Sequence, residues 1–211
     1  MMKTMTIIIT LFGLGIVWSL WGYFSSNVEQ ARYTVVRRAP EYEIRKYASH
    51  IEAQTTVSGS YSESLSNGFM IVAGYIFGGN EKKEPIAMTA PVTARQQTSE
   101  SIAMTAPVLA KNSGDSRIIA FVMPSSYTLK SLPTPKDSRV KLVEVPEKTM
   151  AVLRFSWLRN DARILVMEKK LLAALARDNI HVVSSPSFAG YNAPWTPPWM
   201  MRHEVLIEVV Q

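Results

Sequence analysis

The chain has 211 residues, a formal net charge of +6 and no cysteine, and its length suits one folded domain with or without a short appendage. The lack of cysteine excludes disulfides, thiolate metal sites and cysteine nucleophiles. Its basic residues are scattered rather than gathered into one stripe with interleaved aromatic residues, so we do not expect a nucleic-acid partner.

The N-terminus carries a long apolar segment. Residues 4–28 contain no charged side chain, and a membrane-spanning helix needs about 20 mostly apolar residues, whereas the core of a secretory leader needs only ~7–15. We therefore predict a transmembrane signal-anchor over residues 1–29, with a cleaved signal peptide and a buried core helix as the alternatives. Residues 30–211 are predicted to form one exported domain on the periplasmic or extracytoplasmic side of the cell membrane.

Short strands and one helix follow. Residues 33–47 and 50–59 alternate apolar and polar side chains, which predicts half-buried strands. Ser60 and Glu63 form a capping box that starts a helix, and Gly78 suits its end. The apolar stripe of this helix recurs at helical spacing and consists of Leu65, Phe69, Val72 and Ile76.

The heptapeptide IAMTAPV occurs twice, at Ile86–Val92 and at Ile102–Val108. If the two copies pair as a hairpin centred near Gln97, their Ile, Met, Ala and Val side chains share one face, because side chains alternate along a strand. Pro91 and Pro107 would then occupy bulges or unpaired edge positions. We predict that the repeat is a scaffold that contributes no chemistry.

The second half of the domain echoes the first. After a strand at 116–124, further strands are predicted at 140–145, 148–156, 181–183 and 204–209, with a helix over about 161–178. The order of two strands, a helix and further strands, given twice, predicts an α+β fold with two pseudo-symmetric halves, each with one helix.

Few residues are arranged for catalysis or for metal binding. The three histidines, His50, His181 and His203, do not stand at the spacing of a metal-binding motif. Segment 191–205 is rich in aromatic residues and proline, and it allows two interpretations. It is either a lid over one end of the sheet or a wall for a flat apolar ligand.

Several segments of the chain resemble the SOUL haem-binding protein family, in the order that the family shows. They are YEIRKY, GFMIVAGYIFGGN, both IAMTAPV copies, FVMPSSYTL, LPTPKDSRVKLVEVPEKTMAVLRFS and YNAPWTPPWMMRHEVLIEV. Together they cover almost everything from Tyr42 to Val209. The resemblance implies a distorted antiparallel β-barrel of two similar halves, each packed with a helix, like the effector-binding domain of bacterial multidrug-responsive regulators.

The resemblance also implies that haem or another tetrapyrrole binds in an apolar pocket between the first helix and the C-terminal segment. Our candidate pocket residues are Leu65, Phe69, Val72, Ala73, Ile76, Tyr191, Trp195, Arg202 and Glu204. Ser66, Gly74 and Thr196 stand where animal relatives carry basic residues that could pair with haem propionates. His203 replaces an Asn of the family pattern and is our candidate iron ligand, in preference to His50, which lies on a strand outside the pocket elements.

Two other functions stay open beside binding without turnover. Related effector-binding domains include hydrolases of small strained electrophiles, in which Glu204 with Tyr191 would supply a general base. A sensor for cationic hydrophobic compounds would use Glu204 as the counter-charge and the tryptophans for stacking. The two alternatives lose their central residue if Glu204 faces solvent or bonds only to Arg202.

Overall fold

The computed structural model describes residue 18 and residues 29–96, 116–193 and 195–210, which contain ten strands and two helices. The strands are β1 (Tyr33–Arg38), β2 (Glu43–Tyr47), β3 (His50–Ser58), β4 (Val92–Gln96), β5 (Ser116–Val122), β6 (Lys141–Val145), β7 (Lys148–Phe155), β8 (His181–Val182), β9 (Ser187–Gly190) and β10 (His203–Val210). The helices are α1 (Tyr61–Ile76) and α2 (Asp161–Arg177), and a 3₁₀ turn covers Pro198–Met200.

Two short links make the sheet curl. The strands follow the order β1-β2-β7-β10-β9-β4-β5-β3-β6, with β8 paired to β10. Only Ala48 and Ser49 connect β2, near one edge, to β3, near the other, and only Pro146 and Glu147 connect β6 to β7. One residue spans at most about 3.6 Å, so these links draw the opposite ends of the sheet together. The antiparallel sheet therefore forms a half-barrel.

The two halves of the sheet have equivalent strand orders. It runs β2-β7-β10-β9 from one side and β6-β3-β5-β4 from the other, and β9 pairs with β4 at the centre. The strand that precedes each helix pairs with a strand from the opposite half, β3 with β6 and β7 with β2. The predicted α+β class, with an antiparallel sheet and two helices, is confirmed.

Both helices begin where the sequence predicts and pack on the same face of the sheet, which we call the helix face. Ser60 and Glu63 form the predicted capping box of α1, and the Asn160 side chain caps α2. α1 lies against β3 and β5, and α2 lies against β7 and β10. The core between helices and sheet contains Leu65, Val72, Ile76, Ile119, Phe121, Ile164, Leu171, Leu175, Val205 and Ile207.

The first IAMTAPV copy does not form the predicted strand. The residues Ile86–Pro91 precede β4 and pair with no strand, because Pro91 has no N–H to donate to a ladder and the Ala90 amide donates to the Glu29 carbonyl instead (2.9 Å). The side chains do not share one face either, since Ile86 and Ala90 belong to separate apolar clusters. The second copy, and with it the predicted hairpin, lies outside the described residues.

The predicted N-terminal anchor, residues 1–29, lies outside the described residues apart from Trp18 and Glu29. Trp18 Nε1 donates a hydrogen bond to the Trp195 carbonyl (2.9 Å), and its ring meets Trp199 edge to face at 5.6 Å between centroids. Within the part of the chain that the structure describes, no helix has the length and apolar character needed to cross a membrane.

Two glycines on α1 test how closely this helix docks on the sheet. A Cβ at Gly68 would lie 2.4 Å from Ile119 Cγ1, whereas a Cβ at Gly74 would meet nothing within 4 Å. We expect Gly68→Ala to lower the free energy of unfolding by about 1–3 kcal/mol through overpacking. Gly74→Ala should leave it unchanged or raise it by up to ~1 kcal/mol, since alanine is the better helix former. Urea denaturation measures both, and equal losses would contradict the described docking.

Candidate functional site

The face of the sheet opposite the helices lines a cavity of about 970 Å³, which we call the cleft. A second cavity, of about 650 Å³, shares His50 with it. Because side chains alternate along a strand, β10 presents Leu206 and Glu208 to the cleft and buries Val205 and Ile207 beneath α2. The apolar part of the cleft lining includes Ile118, Val122, Val143, Met150, Tyr191 and Leu206.

Glu204, on the same face of β10, is completely buried, and three side chains saturate its carboxylate. Arg45 Nη1, which arrives from β2, lies 3.0 Å from both oxygens. Arg202 donates to Oε1 through Nε (2.9 Å) and Nη2 (2.8 Å). The Tyr191 hydroxyl donates to Oε2 at 2.6 Å. Glu204 therefore neither faces solvent nor bonds to Arg202 alone.

The charges of this cluster stabilise one another. Burial by itself lowers the pKa of Arg45 and of Arg202, but the Glu204 carboxylate, together with Tyr47 and Glu43 for Arg45 and with Tyr191 for Arg202, outweighs it and raises both pKa values. Burial and the Glu204 charge raise the pKa of Tyr191 well above its ordinary value, so this hydroxyl stays a donor. With two cations and a phenol on one carboxylate, the cluster leaves no free lone pair for a general base and no uncompensated negative charge for a cationic ligand.

The structure brings together only part of the predicted pocket. Tyr191, Arg202 and Glu204 meet in the cluster just described, whereas Trp195 is exposed. The α1 candidates face the sheet: Leu65, Val72, Ala73 and Ile76 are buried, and Phe69 packs on Phe121 at 5.3 Å between ring centroids. The outward side of α1 carries Ser66, Met70, Gly74 and Phe77 instead. Neither of the two cavities is lined by α1, and a ligand role for these positions stays a prediction.

His203 lies on the helix face, not in the cleft. It is 2 % exposed, its ring contacts both Phe155 (5.4 Å) and Phe188 (5.6 Å), and neither ring nitrogen forms a well-aligned hydrogen bond, with the backbone of Trp157 as its polar neighbour. Burial, followed by the charge of Arg159, lowers its pKa to about 4. Among the described residues no group of three His, Asp or Glu side chains could hold a metal ion, and iron ligation by His203 stays a prediction.

The sequence interpretation missed a second polar cluster, in the cleft itself. Glu52 is 4 % exposed and accepts hydrogen bonds from Gln54 Nε2 (2.7 Å) and Arg95 Nη2 (3.0 Å). His50 Nε2 lies 3.4 Å from the same carboxylate, and His50 Nδ1 lies 2.9 Å from the Ala48 carbonyl. The available signal was the alternation of His50, Glu52 and Gln54 on β3, which places all three on one face.

Electrostatics hold Glu52 ionised. Burial alone raises its pKa, but the contacts with His50 and Arg95 reverse the effect and lower the pKa to about 2. His50 responds in the opposite sense, since burial lowers its pKa and the hydrogen bond with Glu52 raises it above the ordinary value. The cleft thus contains a second carboxylate whose charge is balanced within the protein.

Comparison with known proteins identifies relatives over most of the chain. The family described as SOUL heme-binding protein matches residues 28–208. Heme-binding protein 2 of Homo sapiens is 30 % identical over 160 residues, which cover 72 % of this chain and 71 % of that protein. Heme-binding protein 2 of Mus musculus is 29 % identical over 189 residues, which cover 82 % and 85 % of the two chains.

Solved structures of low sequence identity share the fold. The C-terminal domain of EcmrR has a TM-score of 0.59 at 10 % identity, and the match covers 85 % of this chain and 98 % of that one. A hydrolase from Listeria innocua has a TM-score of 0.52 at 9 % identity, and the match covers 83 % and 94 %. Both likenesses concern the curled sheet with its two helices.

The pH dependence of stability tests the Glu52 cluster. The folded-state pKa of about 2 lies below the ordinary 4.5, so the ionised carboxylate stabilises the fold above pH ~4.5, and this contribution is lost as the pH falls towards 2. Between pH 5 and 2 we expect the wild type to lose about 2–3 kcal/mol more than Glu52→Gln. Glu144→Gln, which removes an exposed carboxylate on the neighbouring strand, should behave like the wild type. Parallel curves for wild type and Glu52→Gln in urea denaturation would contradict the description.

Proposed function

The chain belongs to the SOUL haem-binding protein family, and we propose that it binds haem or a related tetrapyrrole in the cleft, without turning it over. The cleft itself is the observation that supports this location. Its volume of about 970 Å³ lies at the upper end of the ~300–1,000 Å³ that small-molecule pockets occupy. Both halves of the sheet contribute apolar side chains to it, including Ile118 and Val143 from one half and Met150 and Leu206 from the other.

The charge distribution favours an apolar, planar ligand over a cationic one or a hydrolysable electrophile. The buried carboxylates of Glu204 and Glu52 are both paired with arginines. Glu208, at the edge of the cleft, pairs with Lys148 at 2.6 Å. No carboxylate among these three is left to attract a cation or to accept a proton, and Glu144, which also lines the cleft, is exposed to water, so we expect apolar contact and stacking to dominate the interaction.

We propose further that neither His50 nor His203 ligates the iron, in place of the ligand role predicted for His203 from the sequence. Both ring nitrogens of His50 already have partners, the Ala48 carbonyl and Glu52, so ligation would break the Glu52 contact. His203 is enclosed in the core on the opposite face. Iron-free protoporphyrin is therefore expected to bind about as tightly as ferric haem.

Absorbance titration in the Soret region tests both the ligand and the location. Val143, in the cleft, and Met70, on the outer side of α1, are exposed hydrophobic residues that can be changed without disturbing the core. We expect Val143→Glu to weaken the binding of ferric haem and of protoporphyrin at least about tenfold, because a carboxylate enters the apolar lining and repels the propionates. Met70→Glu, the matched control, should bind like the wild type.

Three other outcomes would revise the proposal. A loss confined to Met70→Glu would move the ligand to α1 and the C-terminal segment, the location that the family resemblance implies. Tight binding of haem alone, lost in His203→Ala, would establish axial ligation. If neither porphyrin bound the wild type at micromolar concentration, the proposed function itself would be wrong.

We also propose that residues 1–29 anchor the domain in the cell membrane and that the domain lies on the periplasmic or extracytoplasmic side. The support is the run of 25 residues, 4–28, without a charge. In addition, Trp18, from within this run, contacts Trp195 and Trp199 of the domain. Tryptophan is enriched where membrane-spanning segments meet the interface.

Fractionation tests the anchor. The full chain should stay in the membrane pellet after an alkaline carbonate wash, whereas residues 30–211 should be released, because only the full chain carries a segment long enough to span the bilayer. Protease added to spheroplasts should digest the domain if it is exported. Release of a shortened chain into the soluble fraction would instead indicate a cleaved signal peptide.

A further inference from the structure

A group of polar atoms without partners lies on the helix face, away from the cleft. Both ring nitrogens of His203 and the Nε of Arg163 are buried and form no well-aligned hydrogen bond, and the polar neighbour of the imidazole among the described residues is the backbone of Trp157. A buried polar atom without a partner costs about 1–3 kcal/mol, and such atoms are rare in folded proteins unless a water, an ion or a ligand satisfies them. His203 and Arg163 both lie near the Phe155 ring, so one common ligand could satisfy both side chains.

Two phenylalanine rings bring three nitrogen-bearing side chains together. The His203 ring lies 5.4 Å from the Phe155 ring and 5.6 Å from the Phe188 ring, between centroids. The Arg163 guanidinium carbon lies 5.9 Å from the centre of the Phe155 ring. The Arg159 guanidinium carbon lies 5.6 Å from the centre of the Phe188 ring. The imidazole thus contacts two aromatic rings, and one guanidinium group lies near each of these rings.

The two arginines have no acidic partner within the described part of the chain. Arg163 donates through Nη2 to the Ser156 carbonyl (3.1 Å), and Arg159 makes no hydrogen bond or ion pair with a described residue. Asp161, at the start of α2, is committed to Tyr61 and Ser62 at the start of α1. Arg159 is exposed over part of its surface, and partial desolvation without a counter-charge lowers its pKa.

The backbone around Arg159 is held in an unusual conformation. Trp157, two residues earlier, has φ of 75°, a left-handed conformation that bulky residues rarely adopt and that tends to mark functional positions. Its amide donates to the Pro198 carbonyl at 2.9 Å, which fixes the loop between β7 and α2 against the C-terminal segment. Gly190, the register partner of His203, leaves room for the guanidinium, since a Cβ there would lie 3.1 Å from Arg159 Nη1.

We propose that Arg159, Arg163 and His203 form a binding site for a small oxyanion, either a carboxylate or a phosphate group, that is separate from the cleft. Guanidinium groups present several N–H donors in a plane and bind both anions through charge-assisted hydrogen bonds. Arg159 stays accessible to solvent, so an anion reaches the site from this side. The bound oxygens accept from the free Nε of Arg163 and from a ring N–H of His203, which satisfies the atoms that now lack partners.

Titration of the full chain with inorganic phosphate and, separately, with acetate tests the site, with chloride at equal ionic strength as the reference. The ring resonances of His203, assigned by their loss in His203→Phe, should shift on titration with at least one of the two anions. The His203 pKa should rise from about 4 as the anion stabilises the imidazolium. The same anion should raise the melting temperature along a saturating curve.

Charge-matched variants distinguish this site from general screening. Arg159→Gln should weaken the apparent affinity for the anion at least about tenfold. Arg154→Gln removes an equally exposed charge from the neighbouring strand β7 and should leave the affinity unchanged. Both variants should bind haem like the wild type, so failure here and failure of haem binding are separate results.

Two results would overturn the proposal. One is an equal response of wild type, Arg154→Gln and Arg159→Gln to the anion, which would reduce the effect to ionic strength. The other is a His203 resonance in the wild type that does not respond to phosphate or to acetate. This second measurement needs no variant at the site other than the one used for assignment, so it decides the question even if Arg159→Gln folds poorly.

Discussion

The architecture depends on two links of two residues each. Residues 48–49 and 146–147 join strands that lie far apart in the sheet order, so the sheet can form only if it curls until the opposite ends approach. The curl separates the molecule into a helix face, which contains the core, and a concave cleft face. Without it the cleft side of the sheet would be an open surface in water, and polar side chains would be the ordinary choice there.

Enclosure explains why charged residues in this cleft occur in matched sets. Glu204 combines with Arg45, which reaches it from two strands away, and with Arg202, which directly precedes β10. Glu52 combines with Arg95 and His50 in the other half. Buried ion pairs of this kind add little net stability compared with apolar residues. Removal of one partner, however, leaves an unpaired buried charge and strongly destabilises the fold. Their effect on function is to leave a cavity whose remaining free surface is largely apolar.

Local sequence patterns predicted where the helices and most strands begin and end. They did not predict features that depend on contacts between distant parts of the chain. The capping box at Ser60 and the 3.6-residue stripe of α1 depend only on neighbours in sequence, and both are confirmed. The same stripe packs into the core between α1 and the sheet, and its predicted role in a ligand pocket stays a prediction. The alternation over residues 50–59 predicted a half-buried strand, but nothing local indicates that the sheet curls and brings His50, Glu52 and Gln54 into a cleft. Identity of the two IAMTAPV copies suggested pairing, yet the lack of an N–H at Pro91 prevents a ladder in the first copy.

Each half of the fold contributes one strand to the sheet of the other half, so neither half is complete by itself. β2 completes the sheet of the second half, and β6 completes the sheet of the first. A single half on its own would lack the strand that pairs with the strand before its helix. That strand would then be an unpaired edge of the sheet. Two identical copies of such a half could satisfy each other by reciprocal donation, which is a domain-swapped dimer with twofold symmetry. The present chain has the connectivity that results when such a dimer is joined end to end into one polypeptide.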